Sequence, residues 1–179
     1  MKKLKDLILN NYDFDLAYSG KIIADYIRAT TRNGKIISIF GNGGSASDAQ
    51  HWAAELVCTY QNPNRKPYPA LALTVDTSIL TAWSNDFSFD TVFSRQLEAF
   101  SNVIGLAVGL STSGRSKNVL YGLNTASQLG AKTILITGLG APSNDEIDLI
   151  VRVPSTETPV IQSLTQMLYH EVCVYLEDQ

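Results

Sequence analysis

Four continuous apolar runs punctuate the chain: KIISIF (35–40), PALALTV (69–75), VIGLAVGL (103–110) and KTILITG (132–138). A shorter fifth run, LIVRV, spans 149–153. These are mostly runs rather than alternations, which predicts strands of a parallel sheet covered on both faces. Helical periodicity fills the gaps. ASDAQHWAAELVCTY follows the first run, FDTVFSRQLEAF precedes the third, and SKNVLYGLNTASQLG follows the third and closes on Gly130 as a C-cap. The spacing is that of βα units and predicts a three-layer α/β/α sandwich. Two further helices flank it: DFDLAYSGKIIADYIRATTRNG, ending at Gly34, and TPVIQSLTQMLYHEVCVYLEDQ, with Pro159 in its first turn. Neither is needed to connect strands, so both either make subunit contacts, which predicts an oligomer, or cover the sheet. YQNPNRKPYP (60–69) is a loop.

The 179 residues suffice for one domain with a real core, and neither a linker nor an internal repeat divides them, so one domain over 1–179 is expected. The formal charge of -3, with no basic arm, argues against nucleic acid as a ligand. No stretch reaches the length of a membrane span, and the Met-Lys-Lys start is not followed by a long apolar run, so no membrane partner and a cytoplasmic location are expected. Cys58 and Cys173 sit inside apparent helices without CxxC spacing and read as free thiols.

Two loops point to an anion. The first strand ends in GNGGSAS and leads straight into a helix, whose unpaired N–H groups suit a negative ligand at the carboxyl edge of the sheet. Gly41, Gly43 and Ala46 fit G-x-G-x-x-A, but no acidic residue follows at the dinucleotide spacing, and the P-loop Lys-Ser/Thr ending is missing. The third strand ends in GLSTSGRSKNV, where Ser111, Thr112, Ser113 and Ser116 offer four hydroxyls and Gly114 lets the loop turn. A cluster of caps and turns explains one such loop; two, each after a buried strand, favour a shared phosphorylated ligand. Arg115 and Lys117 either add charge or face solvent.

The chain has two histidines, His51 and His170. His51 and Glu55 are four apart and share a helix face close to the glycine loop. Gln162, Gln166 and His170 recur every fourth residue on an otherwise apolar helix and must meet solvent, a partner side chain or a ligand. Zinc binding, general acid–base work and a plain His–Glu pair all remain open from spacing alone. Asp76, Thr77, Asn85 and Asp86 follow the second strand; Asp86 suits either a sugar hydroxyl or a helix cap. Trp83 and Phe87 read as core or wall.

Taken together, GNGGSASDAQHWAAEL, LTVDTSILTAWSNDFSFDTVFSRQLEA, GLSTSGRSKNVL and PVIQ…H resemble the sugar-isomerase (SIS) domain family, and within it the branch acting on sedoheptulose 7-phosphate. The resemblance covers the chain from about residue 20 onward. It implies a flavodoxin-like fold with a five-stranded parallel sheet, assembled as a homotetramer with active sites at subunit interfaces. It implies interconversion of sedoheptulose 7-phosphate and glycero-manno-heptose 7-phosphate through an enediol, toward nucleotide-heptose for lipopolysaccharide, capsule or surface-layer glycans. It places the phosphate on Ser45, Ser111, Thr112, Ser113 and Ser116 beside Gly43 and Gly44, the sugar on Asn42 and Asp86, and Gln162 among the substrate contacts as well. It assigns His51, Glu55, Gln162 and His170 to one zinc ion per subunit. Glu55 is then the base and His170 its acid–base partner. The chain departs from the family's pattern at Thr59 and Val160, where arginine is usual, at Ser163, where glutamate is, and at Thr165, where histidine is. Those changes keep open a sugar-phosphate-binding or protein-partner module, or an isomerase of another sugar phosphate.

Overall fold

The computed structural model describes residues 15–177; the first two residues of the predicted opening helix and the last two of the closing one lie outside them. Element order is α1 (Leu16–Arg32), β1 (Ile36–Gly41), α2 (Gly44–Val57), β2 (Ala70–Ala72), α3 (Thr77–Asp86), a 3₁₀ turn (Phe89–Thr91), α4 (Val92–Ala99), β3 (Ile104–Leu110), α5 (Lys117–Gln128), β4 (Lys132–Gly138), β5 (Leu149–Val153) and α6 (Thr158–Glu177). All five predicted strands form. The second is cut to three residues because the chain turns into α3, whose N-cap Asp76 accepts from the amide of Ile79 at 3.0 Å. Cys58 falls just beyond α2 and is exposed, Cys173 is buried in α6, and both are free thiols.

The sheet is parallel throughout, in the order β2-β1-β3-β4-β5. From β1 the chain runs one way to β2; from β3 it runs the other way to β5. The crevice between the carboxyl ends of β1 and β3 is therefore the topological switch point, where ligands bind in open α/β sheets.

Side chains alternate cleanly across the strands. Ile37, Ile39, Leu106, Val108, Ile134, Ile136, Val151 and Val153 face a core closed by α1, α2 and α6. Phe40, Ala107 and Leu135 face the opposite core, closed by α4 and α5. The three predicted layers follow. α1 packs against α6, so the two flanking helices cover one face of the sheet. Phe87, expected in the core or a wall, is 69% exposed and stacks on the half-buried Trp83 with ring centroids 4.2 Å apart. The cause is α3 itself, a helix with no buried residue.

Candidate functional site

Both anion loops lie at the switch point. β1 ends at Gly41, and Gly43 caps α2 with φ 57°, a left-handed conformation that favours glycine. α2 starts with no side-chain cap bond, and so does α5, whose N-cap is Ser116. Two helix starts on adjacent strands thus keep their positive ends free of a side-chain oxygen. Ser45 and Ser111 are buried. The Ser111 hydroxyl lies 3.0 Å from that of Ser116, and Ser113 Oγ accepts from the Arg115 amide at 3.2 Å. Thr112 is half-buried, and its carbonyl accepts from the Gly138 amide at 3.1 Å, pinning the serine loop to β4.

The two loops are tied together by Asn42 and Asn118, whose side-chain amides exchange two hydrogen bonds of 2.8 Å each. Asn118 was not singled out from the sequence, because its partner is 76 residues away.

α2 and α6 bring the chemical groups together. One donor atom each from His51, Glu55 and His170 lies within 4.8 Å of the others. His51 Nε2 is 3.0 Å from Glu55 Oε1, the expected i,i+4 pair. Across from it, the His170 ring stands edge-on to His51 with centroids 5.2 Å apart and packs against Tyr60, also at 5.2 Å. Burial, with the nearby His51, holds the His170 pKa below the ordinary histidine range; Glu55 pulls the other way. Burial thus favours the neutral imidazole. Its Nε2 is buried and has no hydrogen-bond partner. An orphaned imidazole nitrogen beside a second histidine and a carboxylate fits a zinc ion, whose ligands are of these types.

Gln162 of α6 sits at the start of α2, in the glycine loop. Its amide packs so closely on Gly44 that a Cβ there would run into it. The third member of the predicted stripe, Gln166, is exposed. Asp86 is exposed at the end of α3 and accepts from Asn85 Nδ2 at 2.8 Å. Among the described residues no hydrogen bond joins Asp86 to either loop. Of the positions that depart from the family pattern, Thr59 is exposed, while Val160 and Thr165 are buried in α6. The Ser163 hydroxyl bonds back to the Pro159 carbonyl at 3.0 Å.

Three further residues support the site. Tyr169 is fully buried, stacks on Trp52 with centroids 5.6 Å apart, and brings its hydroxyl to 2.9 Å from His51 Nδ1. Arg65 donates to the carbonyls of Glu55 and Leu56 at the end of α2, and its Nε lies 3.2 Å from the Glu177 carboxylate. Glu177, at the end of α6, also accepts from the amides of Tyr60, Gln61 and Asn62, each at 2.9 Å. Asp48, one turn before His51, is half-buried; burial raises its pKa and His51 opposes the rise.

The SIS domain family matches residues 17–138. The chain is 42% identical over 185 residues to a phosphoheptose isomerase of Aquifex aeolicus, covering 99% of this chain and 96% of the relative. It is 46% identical over 151 residues to a phosphoheptose isomerase of Aliarcobacter butzleri, covering 84% and 79%. Among solved structures, that of a phosphoheptose isomerase from Neisseria gonorrhoeae superposes with a TM-score of 0.83 at 33% identity, covering 98% of this chain and 92% of that one.

Proposed function

The chain belongs to the SIS-domain family, and from that premise we propose that it is an aldose–ketose isomerase interconverting D-sedoheptulose 7-phosphate and D-glycero-D-manno-heptose 7-phosphate. The reaction serves heptose biosynthesis. The observation that carries the reading is the meeting of His51 and Glu55 with His170, on the same α2 whose start forms the glycine loop. Seven residues separate Gly44 from His51, about 10 Å at helical rise. That separation suits a phosphorylated sugar with its phosphate at the loops and its reacting carbons at the histidines.

Ser45, Ser111, Thr112, Ser113 and Ser116, with Gly43 and Gly44, hold the phosphate; Asn42 and Asp86 face the sugar hydroxyls. Binding the remote phosphate fixes C1 and C2 against the chemical groups. Glu55 takes a proton from C1 of the ketose and returns it to C2. His170 moves a proton between O1 and O2, so that no proton is gained or lost overall. His51, Glu55, Gln162 and His170 would hold one zinc ion per subunit. An ion held by these residues would supply polarisation of the carbonyl and hydroxyl oxygens.

The same reading makes 1–179 a single SIS domain, located in the cytoplasm. Among the described residues no helix is long and apolar enough to cross a membrane. A homotetramer with sites at subunit interfaces is part of the proposal. It is supported by Val75, Ile79, Phe87 and Phe89, apolar side chains on or beside α3 that are 54%, 37%, 69% and 51% exposed.

Zinc-loaded protein is expected to convert sedoheptulose 7-phosphate to the heptose phosphate faster than it converts shorter ketose phosphates, measured by product analysis. Metal analysis should give about one zinc per subunit, lost in a His51→Ala/His170→Ala variant. Light scattering on the same sample should give four subunits; a monomer would remove the interface part of the reading. Sugar phosphate bound without interconversion under saturating zinc would favour a binding module instead.

A further inference from the structure

The mechanism above leaves Tyr169 without a role, although its hydroxyl reaches His51 from inside the core. We infer that Tyr169 is the positioning residue that orients His51, its hydroxyl donating to Nδ1 in the metal-free protein and accepting from it once a metal takes Nε2. The inference rests on the zinc reading only for its second half.

A carboxylate can only accept a hydrogen bond. With His51 Nε2 3.0 Å from Glu55 Oε1, a ring that carries one proton carries it on Nε2. Nδ1 is then a bare acceptor, and the hydroxyl 2.9 Å away must donate to it. The order Tyr169 to His51 to Glu55 is thereby fixed from one end by an acceptor and from the other by a donor. When Nε2 gives its lone pair to a metal ion, the ring proton must move to Nδ1, and the Tyr169 oxygen becomes the acceptor. A hydroxyl serves both arrangements because it both donates and accepts. A backbone carbonyl or carboxylate at the same place would serve only the second.

The tyrosine is built to hold still. Its ring stacks on Trp52 at an interplanar angle of 17° and meets the His51 and His170 rings edge-on, with centroids 5.4 and 4.9 Å away.

The test compares metal-stripped, 15N-labelled wild type with Tyr169→Phe, which keeps the ring and its stacking. In wild type, the His51 imidazole resonances should report the Nε2–H tautomer with Nδ1 hydrogen-bonded. In Tyr169→Phe, Nδ1 should move to the position of an unbonded nitrogen. Zinc affinity, read by competition with a chromophoric chelator, should fall roughly 10–100-fold. An Nδ1–H tautomer in metal-free wild type overturns the inference without any variant. So does an Nδ1 resonance and zinc affinity unchanged by the substitution. Wild type that binds no zinc but shows the expected nitrogen shifts sinks the metal reading and the metal half of this one, and upholds the orienting hydrogen bond.

Discussion

Glu55→Gln is expected to lower kcat roughly 10²–10⁴-fold, the range for losing a positioned general base. Glutamine keeps the shape of the side chain, and its carbonyl oxygen can still accept from His51 Nε2, which now lies 3.0 Å from the carboxylate. It cannot take a proton from carbon. The assay needs zinc in excess, because the same carboxylate is a proposed ligand and a half-empty site would imitate a lost base. Circular dichroism checks the fold and calorimetry checks sugar-phosphate binding. A variant that folds, binds substrate and turns over at the wild-type rate would show that another group removes the proton.

The second large effect concerns stability. Glu177→Ala is expected to cost about 3–5 kcal/mol, read by chemical denaturation, because it leaves a buried charge unpaired. The side chains of Arg65 and Glu177 are only 6% and 7% exposed. Removing the glutamate also strips an acceptor from the amides of Tyr60, Gln61 and Asn62. The double variant Arg65→Ala/Glu177→Ala should lose less than the sum of the two single losses, since neither charge is then stranded. Strict additivity would mean that the two act independently. Activity should fall with stability, since this pair joins the end of α2, behind Glu55, to the end of α6 beyond His170.

The pair also has a pH signature. Burial works to raise the Glu177 pKa, but the three amides and Arg65 outweigh it and hold the carboxyl below the usual glutamate range. A lowered native pKa gives stability that is full above the unfolded value of about 4.3 and is lost as pH falls through the native one. Glu177→Ala should therefore flatten the acid limb of the stability profile.

Most of the fold was legible because each strand is buried on both faces and so reads as an apolar run. α3 was not, because it buries none of its own residues and leaves no core-facing stripe in the sequence. In the site, His51 and Glu55 announce themselves by helical spacing, and His170 by being polar on an apolar helix. Tyr169 reads as one more core aromatic; nothing local reveals that its hydroxyl is spent on a histidine 118 residues away. Arg65 sits in a proline-rich loop and looks solvated, and its carboxylate partner lies 112 residues further on. The supporting residues were hidden for one reason: each acts through a partner distant in sequence, and spacing rules see only neighbours. The family resemblance supplied the substrate, which neither spacing nor charge could name.

The Asn42–Asn118 pair bears on how the protein ages. An asparagine followed by glycine is chemically fragile, because the next backbone nitrogen can attack its carboxamide and release ammonia, and Asn42 is followed by Gly43. Two 2.8 Å bonds hold that carboxamide toward Asn118 and restrain it from turning for the attack. Were the amide lost, an aspartate at 42 would have no hydrogen to give Asn118 and would set a negative charge beside two helix starts that lack a side-chain cap bond. The bond pair that joins the two loops thus also protects the shelf life of the site, and peptide mapping of stored Asn118→Ala should find residue 42 deamidating faster than in wild type.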